Sequence, residues 1–307
     1  MHSHGHNHEG SARVLRYSLI ATLLYVGVTA FAGIRAHSLA LLSEAGHNMS
    51  DLLAMALSWV ALFLQSRPPS KTKTFGYHRA GVLAALINAV SLVVIAFYIF
   101  YAAGLRFYNP VEVHPRLMMW VAAAGVVMNG VIAWFLFKAS RDVNIRSVFV
   151  HQVGDTLSTA AVIVGGWMIL WTGRNWIDPL LSIGIGCLIL WSSLGIIRET
   201  LNILLEGTPS GVSVEKIIAS IGGVRGVNDV HDVHVWSIGS ETRALSCHIG
   251  IDDMQLSATE GILRNVKQIL AADFHIHHTT IQFENSECEI AHGCIIPVSH
   301  HHDHEHI

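Results

Sequence analysis

Ser43-Glu-Ala-Gly-His-Asn-Met-Ser-Asp51 sits inside an apolar run long enough to span a bilayer, and its reading decides the fold. His47 and Asp51 are four residues apart, so on a helix they share one face, one turn above the other. Far along the chain a second apolar run holds Val150-His-Gln-Val-Gly-Asp155, where His151 and Asp155 repeat the offset. An intramembrane Asp costs about 2.5–3.5 kcal/mol on insertion scales, so a chain carrying two needs a reason for them. Two helices that each offer an imidazole and a carboxylate supply the four ligands of a tetrahedral N2O2 metal site. A buried His–Asp hydrogen bond explains one such pair. Two pairs in separate spans point to a metal. Two imidazoles and two carboxylates fit Zn2+, with Co2+ close behind and Fe2+ and Ni2+ compatible by ligand type. Mg2+ and Ca2+ call for all-oxygen cages, and Cu(I) for sulfur. Protons compete with metal for the same groups, so such a site suits exchange of one for the other.

The composition agrees. Of 307 residues, 51% are hydrophobic and only 13% charged, too apolar for an ordinary soluble domain. Apolar runs crowd the stretch before Glu206, and polar residues return after it. We expect a His-rich arm (1–13), a membrane domain (14–206), a small soluble domain (207–285) and a Cys/His-rich tail (286–307). Six spans are predicted: Val14–Ile34, Leu39–Leu64, Gly81–Leu105, Leu117–Phe137, Val148–Trp171 and Pro179–Ile197. Basic residues favour the loops after the second and fourth spans, which predicts cytoplasmic termini. The polar start suggests no cleavable signal peptide. A net charge of -3 without a basic block argues against nucleic acid.

Several residues carry weaker signals. Histidines at alternate positions near the start (His2, His4, His6, His8) and in the tail from His300 to His306 suit loose metal binding. Asn88 and Asn129 read as interhelical hydrogen-bonding groups. Gly33, Gly81, Gly125, Gly130, Gly165, Gly166, Gly184 and Gly186 suit close helix packing. Met49 and Met55 miss the His47/Asp51 spacing and read as packing residues. Glu44, three residues before His47, reads as a carboxylate at the mouth of the site or as a helix-end residue at the membrane interface. Asp178-Pro179 reads as a cap for the sixth span.

After Glu206-Gly-Thr-Pro209 the pattern predicts a helix capped by Ser213, a hairpin of Val230–Ile238 and Ala244–Ile251, a helix opened by a capping box Ser257–Glu260, and a strand Thr279–Glu284. That order, αββαβ, predicts helices on one face of a small antiparallel sheet. His248 alternates with Cys247 and Ile249 and is therefore available on the polar face.

The motifs His-Asn-Met-Ser-Asp and His-Gln-Val-Gly-Asp, the turn Lys73-Thr-Phe-Gly-Tyr-His-Arg79, Leu204-Leu-Glu-Gly-Thr-Pro209 and Val230-His-Asp-Val-His-Val-Trp236 together resemble the cation diffusion facilitator family, particularly its zinc-transporting branch. The resemblance runs from about Leu15 to Glu284. It implies a homodimeric, proton-coupled exporter of Zn2+; Co2+, Cd2+, Fe2+ and Ni2+ are further cargo the function expected here allows. The implied fold is six transmembrane helices plus a ferredoxin-like, metallochaperone-like cytoplasmic domain. It also implies transport ligands His47, Asp51, His151 and Asp155, and a second zinc site at His231, His248, His277 and Glu284. His277 and Glu284, seven apart, would face opposite ways on a regular strand, so His277 must precede the strand or lie beyond a bulge. His234 and His278 are alternative ligands there. Cys288, Cys294 and His292 depart from the closer cysteine pair of some relatives, which leaves their role open. The membrane expected is a bacterial inner membrane or an organelle membrane. The rival functions are a passive zinc channel and a non-transporting zinc receptor or buffer. No His-Glu-x-x-His motif is present, and a filled four-ligand set leaves no open position for catalysis, so an enzyme is not expected.

Overall fold

The computed structural model describes residues 6–139, 143–240 and 242–285, with side chains from Ile20 onward except those of 21, 132–133 and 135–152. The predicted tail residues Cys288, His292 and Cys294, the histidines from His300 onward, and the side chains of the N-terminal histidines lie outside what is described. The chain forms two compact units: Met1–Phe63 with Leu83–Arg198, and Leu64–Val82 with Glu199–Ile307.

The first unit is built on α1 (His6–Arg35), α2 (Leu39–Gln65), α3 (Ala80–Tyr108), α4 (Pro115–Ala139), α5 (Val143–Thr172) and α6 (Ile177–Leu204). Its interior combines small residues, Ala36, Ala40, Ala96 and Ala122, with Leu41, Met118 and Val162. Its outward face carries Leu24, Tyr98, Trp120, Leu188 and Trp191. That distribution suits lipid as solvent: hydrocarbon rewards no inward sorting of apolar groups, and small residues let helices approach. Among the described residues α2, α3, α6 and Val153–Thr172 of α5 are long and apolar enough to cross a membrane. The apolar stretches described in α1 and α4, Thr22–Arg35 and Pro115–Val131, are shorter.

Close approach explains most of the predicted glycines. A Cβ at Gly125 would strike the Tyr25 ring of α1, and one at Gly165 would strike Leu181 of α6. Gly130 and Gly184 have no such neighbour among the described residues. Asn88 accepts a hydrogen bond from Ser50 Oγ at 3.0 Å, joining α2 to α3 as expected. Asn129 is buried, but its Nδ2 has no partner among the described residues. Met49 and Met55 point outward instead of packing inside.

Asp178 corrects the expectation of a local cap. Within the first turn of α6, its carboxylate turns to α2 and accepts from Leu39 N–H (2.7 Å), Ala40 N–H (3.2 Å) and Ser38 Oγ (2.6 Å). Arg106 at the end of α3 completes the junction, donating to Asp178 Oδ2 at 2.9 Å and to the His37 carbonyl at 2.6 Å. A fully buried carboxylate thus satisfies orphan N–H groups of another helix and complements its dipole.

The second unit holds α7 (Val214–Gly222), β1 (Asp229–Ser237), β2 (Arg243–Gly250), α8 (Leu256–Phe274) and β3 (Ile276–Glu284). Ser213 caps α7 as predicted, accepting from Lys216 N–H at 3.2 Å. Ser213 Oγ also donates to Glu215, which lowers that carboxyl's pKa. The predicted capping box at α8 does not form: the helix begins at Leu256, so Ser257 already lies within the first turn, and no side chain caps it. Ile217, Ile221, Leu245, Ile249, Val266 and Leu270 form the core. Cys247 lies among them, its thiol pushed up to about 11 by burial, so it is an inert core residue.

The sheet order is β1-β2-β3. β1 and β2 pair antiparallel, but β2 and β3 pair parallel, against the expected all-antiparallel sheet. The cause is the intervening helix: α8 carries the chain back across the sheet, as a parallel crossover requires. In the same unit the 64–82 stretch adds an Arg79–Glu206 salt bridge of 2.9 Å and sets Phe75 edge-on to His278, 5.3 Å between ring centroids.

Candidate functional site

Glu44, His47, Asn48 and Asp51 fall on one stripe of α2, as a helical period dictates. The sequence does not show which helix the stripe meets. His47 Nε2 lies 3.1 Å from Asp155 Oδ1 on α5 and 4.0 Å from Asp51 Oδ2 on its own helix. Ligand atoms of His47, Asp51 and Asp155 all lie within 4.8 Å of one another. Tetrahedral zinc with bonds of about 2.0–2.2 Å places its ligand atoms roughly 3.3–3.6 Å apart, so small side-chain rotations close this group around one ion.

Glu44, a mouth or membrane-interface carboxylate by its sequence position, is buried against α5. It is 0% exposed and accepts hydrogen bonds from Thr159 Oγ1, from Ser158 Oγ at 3.3 Å and from Asn48 Nδ2 at 3.4 Å. Its position three residues before His47 was a visible signal. Its partners on α5 were not, because they depend on how two distant helices meet.

These contacts set the register. Glu44 meets Ser158 and Thr159, while His47 meets Asp155, so a step forward along α2 matches a step backward along α5. The helices run antiparallel here, so on α5 position 151 lies one turn from Asp155 on the side toward which α2 runs from His47 to Asp51. The His151 side chain itself lies outside those described.

The second unit holds another group. His231 and His248 are direct cross-strand partners, with ring centroids 5.5 Å apart. Glu284 reaches both, at 3.2 Å from His231 Nε2 and 3.0 Å from His248 Nδ1, and the three can hold one ion. Beta pairing explains the meeting: His248 sits opposite Gln282 of β3, and Glu284 lies two residues further on the same face. Asp229 braces His231 at 2.7 Å, orienting its ring as carboxylate partners of metal-binding histidines do.

His277 lies at a register slip: Arg243 pairs with Ile276, but Ala244 with His278. A bulge is what the seven-residue spacing demanded, yet His277 stays exposed and outside this group. His234 pairs with Asp232 at 2.9 Å, and His278 faces Phe75. Asp232 follows His231 with a positive φ of 50° at the slip between His231 and His234, and approaches His248 at 3.7 Å.

Comparison with known proteins covers both units. The cation efflux transmembrane domain matches residues 15–205, and the cytoplasmic domain of cation efflux proteins matches 209–286. The chain is 36% identical to a cadmium, cobalt and zinc/H(+)-K(+) antiporter of Bacillus subtilis, over 92% of this chain and 91% of that protein. It is 34% identical to the zinc transporter ZitB of Pectobacterium atrosepticum, over 98% of this chain and 94% of that protein. A solved metal-bound C-terminal domain of the CzcD transporter from Cupriavidus metallidurans is 36% identical, covering 24% of this chain and 99% of that one, with a TM-score of 0.22.

Proposed function

This chain belongs to the cation diffusion facilitator family of cation efflux proteins, and on that premise we propose that it exports Zn2+ from the cytoplasm in exchange for protons. It is a transporter and not an enzyme. The observation that carries the reading is the meeting of His47, Asp51 and Asp155, from two helices, at metal-binding separation. His151, one turn before Asp155 on α5, is the fourth ligand of this reading and completes a His2Asp2 set. Zinc is the favoured cargo, with Cd2+, Co2+, Fe2+ and Ni2+ compatible with the same donors.

Zinc needs neutral imidazole and ionised carboxylate, so a proton arriving at the ligands lowers the site's hold on the ion. If the site opens to each side in turn, inward proton flow drives metal outward. With six spans, an even number, both termini share one side, and the basic loops after the second and fourth spans favour the cytoplasm for it. The membrane we assign is a bacterial inner membrane, and the assembly a homodimer formed through the cytoplasmic domains.

The test is zinc flux in proteoliposomes loaded with a zinc-sensitive dye. Flux is expected to rise with an opposing pH gradient and to collapse when a protonophore removes it. Flux indifferent to the gradient would make the protein a channel; tight binding with no flux would make it a receptor.

We assign a second, resident zinc to His231, His248 and Glu284. Its contribution would be to tie β1, β2 and β3 together at one end of the sheet, where the three ligands lie. Glu284→Ala is expected to remove one tightly held zinc per chain from the purified full-length protein, measured by elemental analysis after dialysis. His277→Ala is expected to leave that count intact, and a loss there would return His277 to the ligand set.

A further inference from the structure

Glu44 is a carboxylate beside the transport ligands that coordination does not account for. A carboxylate inside a span is costly, and this one is 0% exposed. Its oxygens are occupied by hydroxyls of α5 one turn beyond Asp155: Thr159 Oγ1 donates to Oε1, and Ser158 Oγ to Oε2 at 3.3 Å. Thr159 Oγ1 also approaches the Asp155 carbonyl at 2.8 Å, so the same hydroxyl touches the backbone that carries a ligand. On α2, Asn48 donates to both the backbone carbonyl of Glu44 (2.9 Å) and its side chain.

We propose that Glu44 is a positioning residue for the transport site. Its carboxylate clasps α2 to α5 and sets the separation at which His47, Asp51 and Asp155 can share one ion. The clasp also seals one side. Glu44 at one end of the stripe is 0% exposed, while the side chain of Asp51, two turns on, is 27% exposed. The sealed end is the one where α2 begins beside the start of α6, away from where the chain leaves α6 for the C-terminal unit. An ion leaving toward that end must part Glu44 from Thr159 and Ser158, so breaking the clasp belongs to release.

The inference rests on His47, Asp51 and Asp155 being the transport ligands, and the experiment separates the two. Zinc uptake by proteoliposomes is measured for wild type, Asp155→Ala, Glu44→Ala, Glu44→Gln, Thr159→Val and the Glu44→Ala/Thr159→Val double variant, with thermal midpoints in detergent. Removing an outer partner of a metal ligand typically weakens metal binding about 10–100-fold, so Glu44→Ala is expected to raise KM within that range while changing kcat far less. Glu44→Gln, which can still accept from Thr159, is expected to recover most of the loss. Thr159→Val should raise KM alone and add little to Glu44→Ala. Two results overturn the clasp. One is a loss of kcat and thermal midpoint at unchanged KM, which marks plain structural damage. The other is Glu44→Gln as damaging as Glu44→Ala with Thr159→Val silent, which marks the charge itself as the working group. If Asp155→Ala transports normally, the transport-site reading falls, and the clasp with it.

Discussion

Asp155→Ala is expected to abolish zinc flux while leaving the protein folded. Asp155 is the α5 carboxylate that meets His47 at 3.1 Å, so its loss removes a ligand and the contact between the two ligand helices at that level. Removing even an outer-shell partner costs about 10–100-fold in metal affinity, so losing a direct ligand is expected to exceed roughly a hundredfold. Stability should change little. The 3.1 Å contact with His47 is lost, but so is the cost of holding a carboxylate at 8% exposure, and the two offset. Calorimetric zinc titration alongside a thermal midpoint decides the matter. Weakened zinc binding with an unshifted or raised midpoint supports a site held for function. A large fall in midpoint would make Asp155 a structural residue of the bundle.

Asp178→Ala is expected to do the opposite: damage stability first and transport only as a consequence. One carboxylate serves two N–H groups at the start of α2, the Ser38 hydroxyl and the Arg106 guanidinium. Removing it leaves Arg106 without its buried partner and uncaps the helix that carries His47 and Asp51. Breaking a buried pair from one side costs about 3–5 kcal/mol, which lowers a thermal midpoint by roughly 10 °C for a unit of this size. Asp178→Asn keeps an acceptor for α2 while losing the charge, and should fall between wild type and alanine. Unfolding followed by circular dichroism in detergent reads all three. An unchanged midpoint in Asp178→Ala would show that the α2 start does not depend on this junction.

The two aspartates show why site and scaffold differ in legibility. Asp155 could be singled out because the helical period turns a four-residue offset into a shared face, and the offset occurs twice with the same chemistry. The sequence pattern gives Asp178 to its own helix, because a carboxylate in a first turn ordinarily serves that turn. Its partners are Ser38, Leu39 and Ala40, about 140 positions away, and no local pattern announces them. Glu44 follows the same logic: its face on α2 was legible, its hydroxyl partners on α5 were not. The parallel pairing of β3 was legible after all, since a 19-residue helix between two strands is long enough for a crossover.

By itself, then, the sequence determined what depends on period and composition. These are the apolar helices, the polar stripe on α2, the αββαβ order, the Ser213 cap and the residue types able to hold zinc. Tertiary structure decided what depends on which surfaces meet. It brought His47 to Asp155, drew Glu44 into a buried clasp, gave Asp178 to a foreign helix, and set Glu284 against His231 and His248 while leaving His277 outside. The physical reason is one of range. Backbone hydrogen bonding repeats over three to four residues and leaves its imprint in the local pattern. A ligand set is closed by side chains more than a hundred positions apart, whose meeting is fixed by packing and register alone.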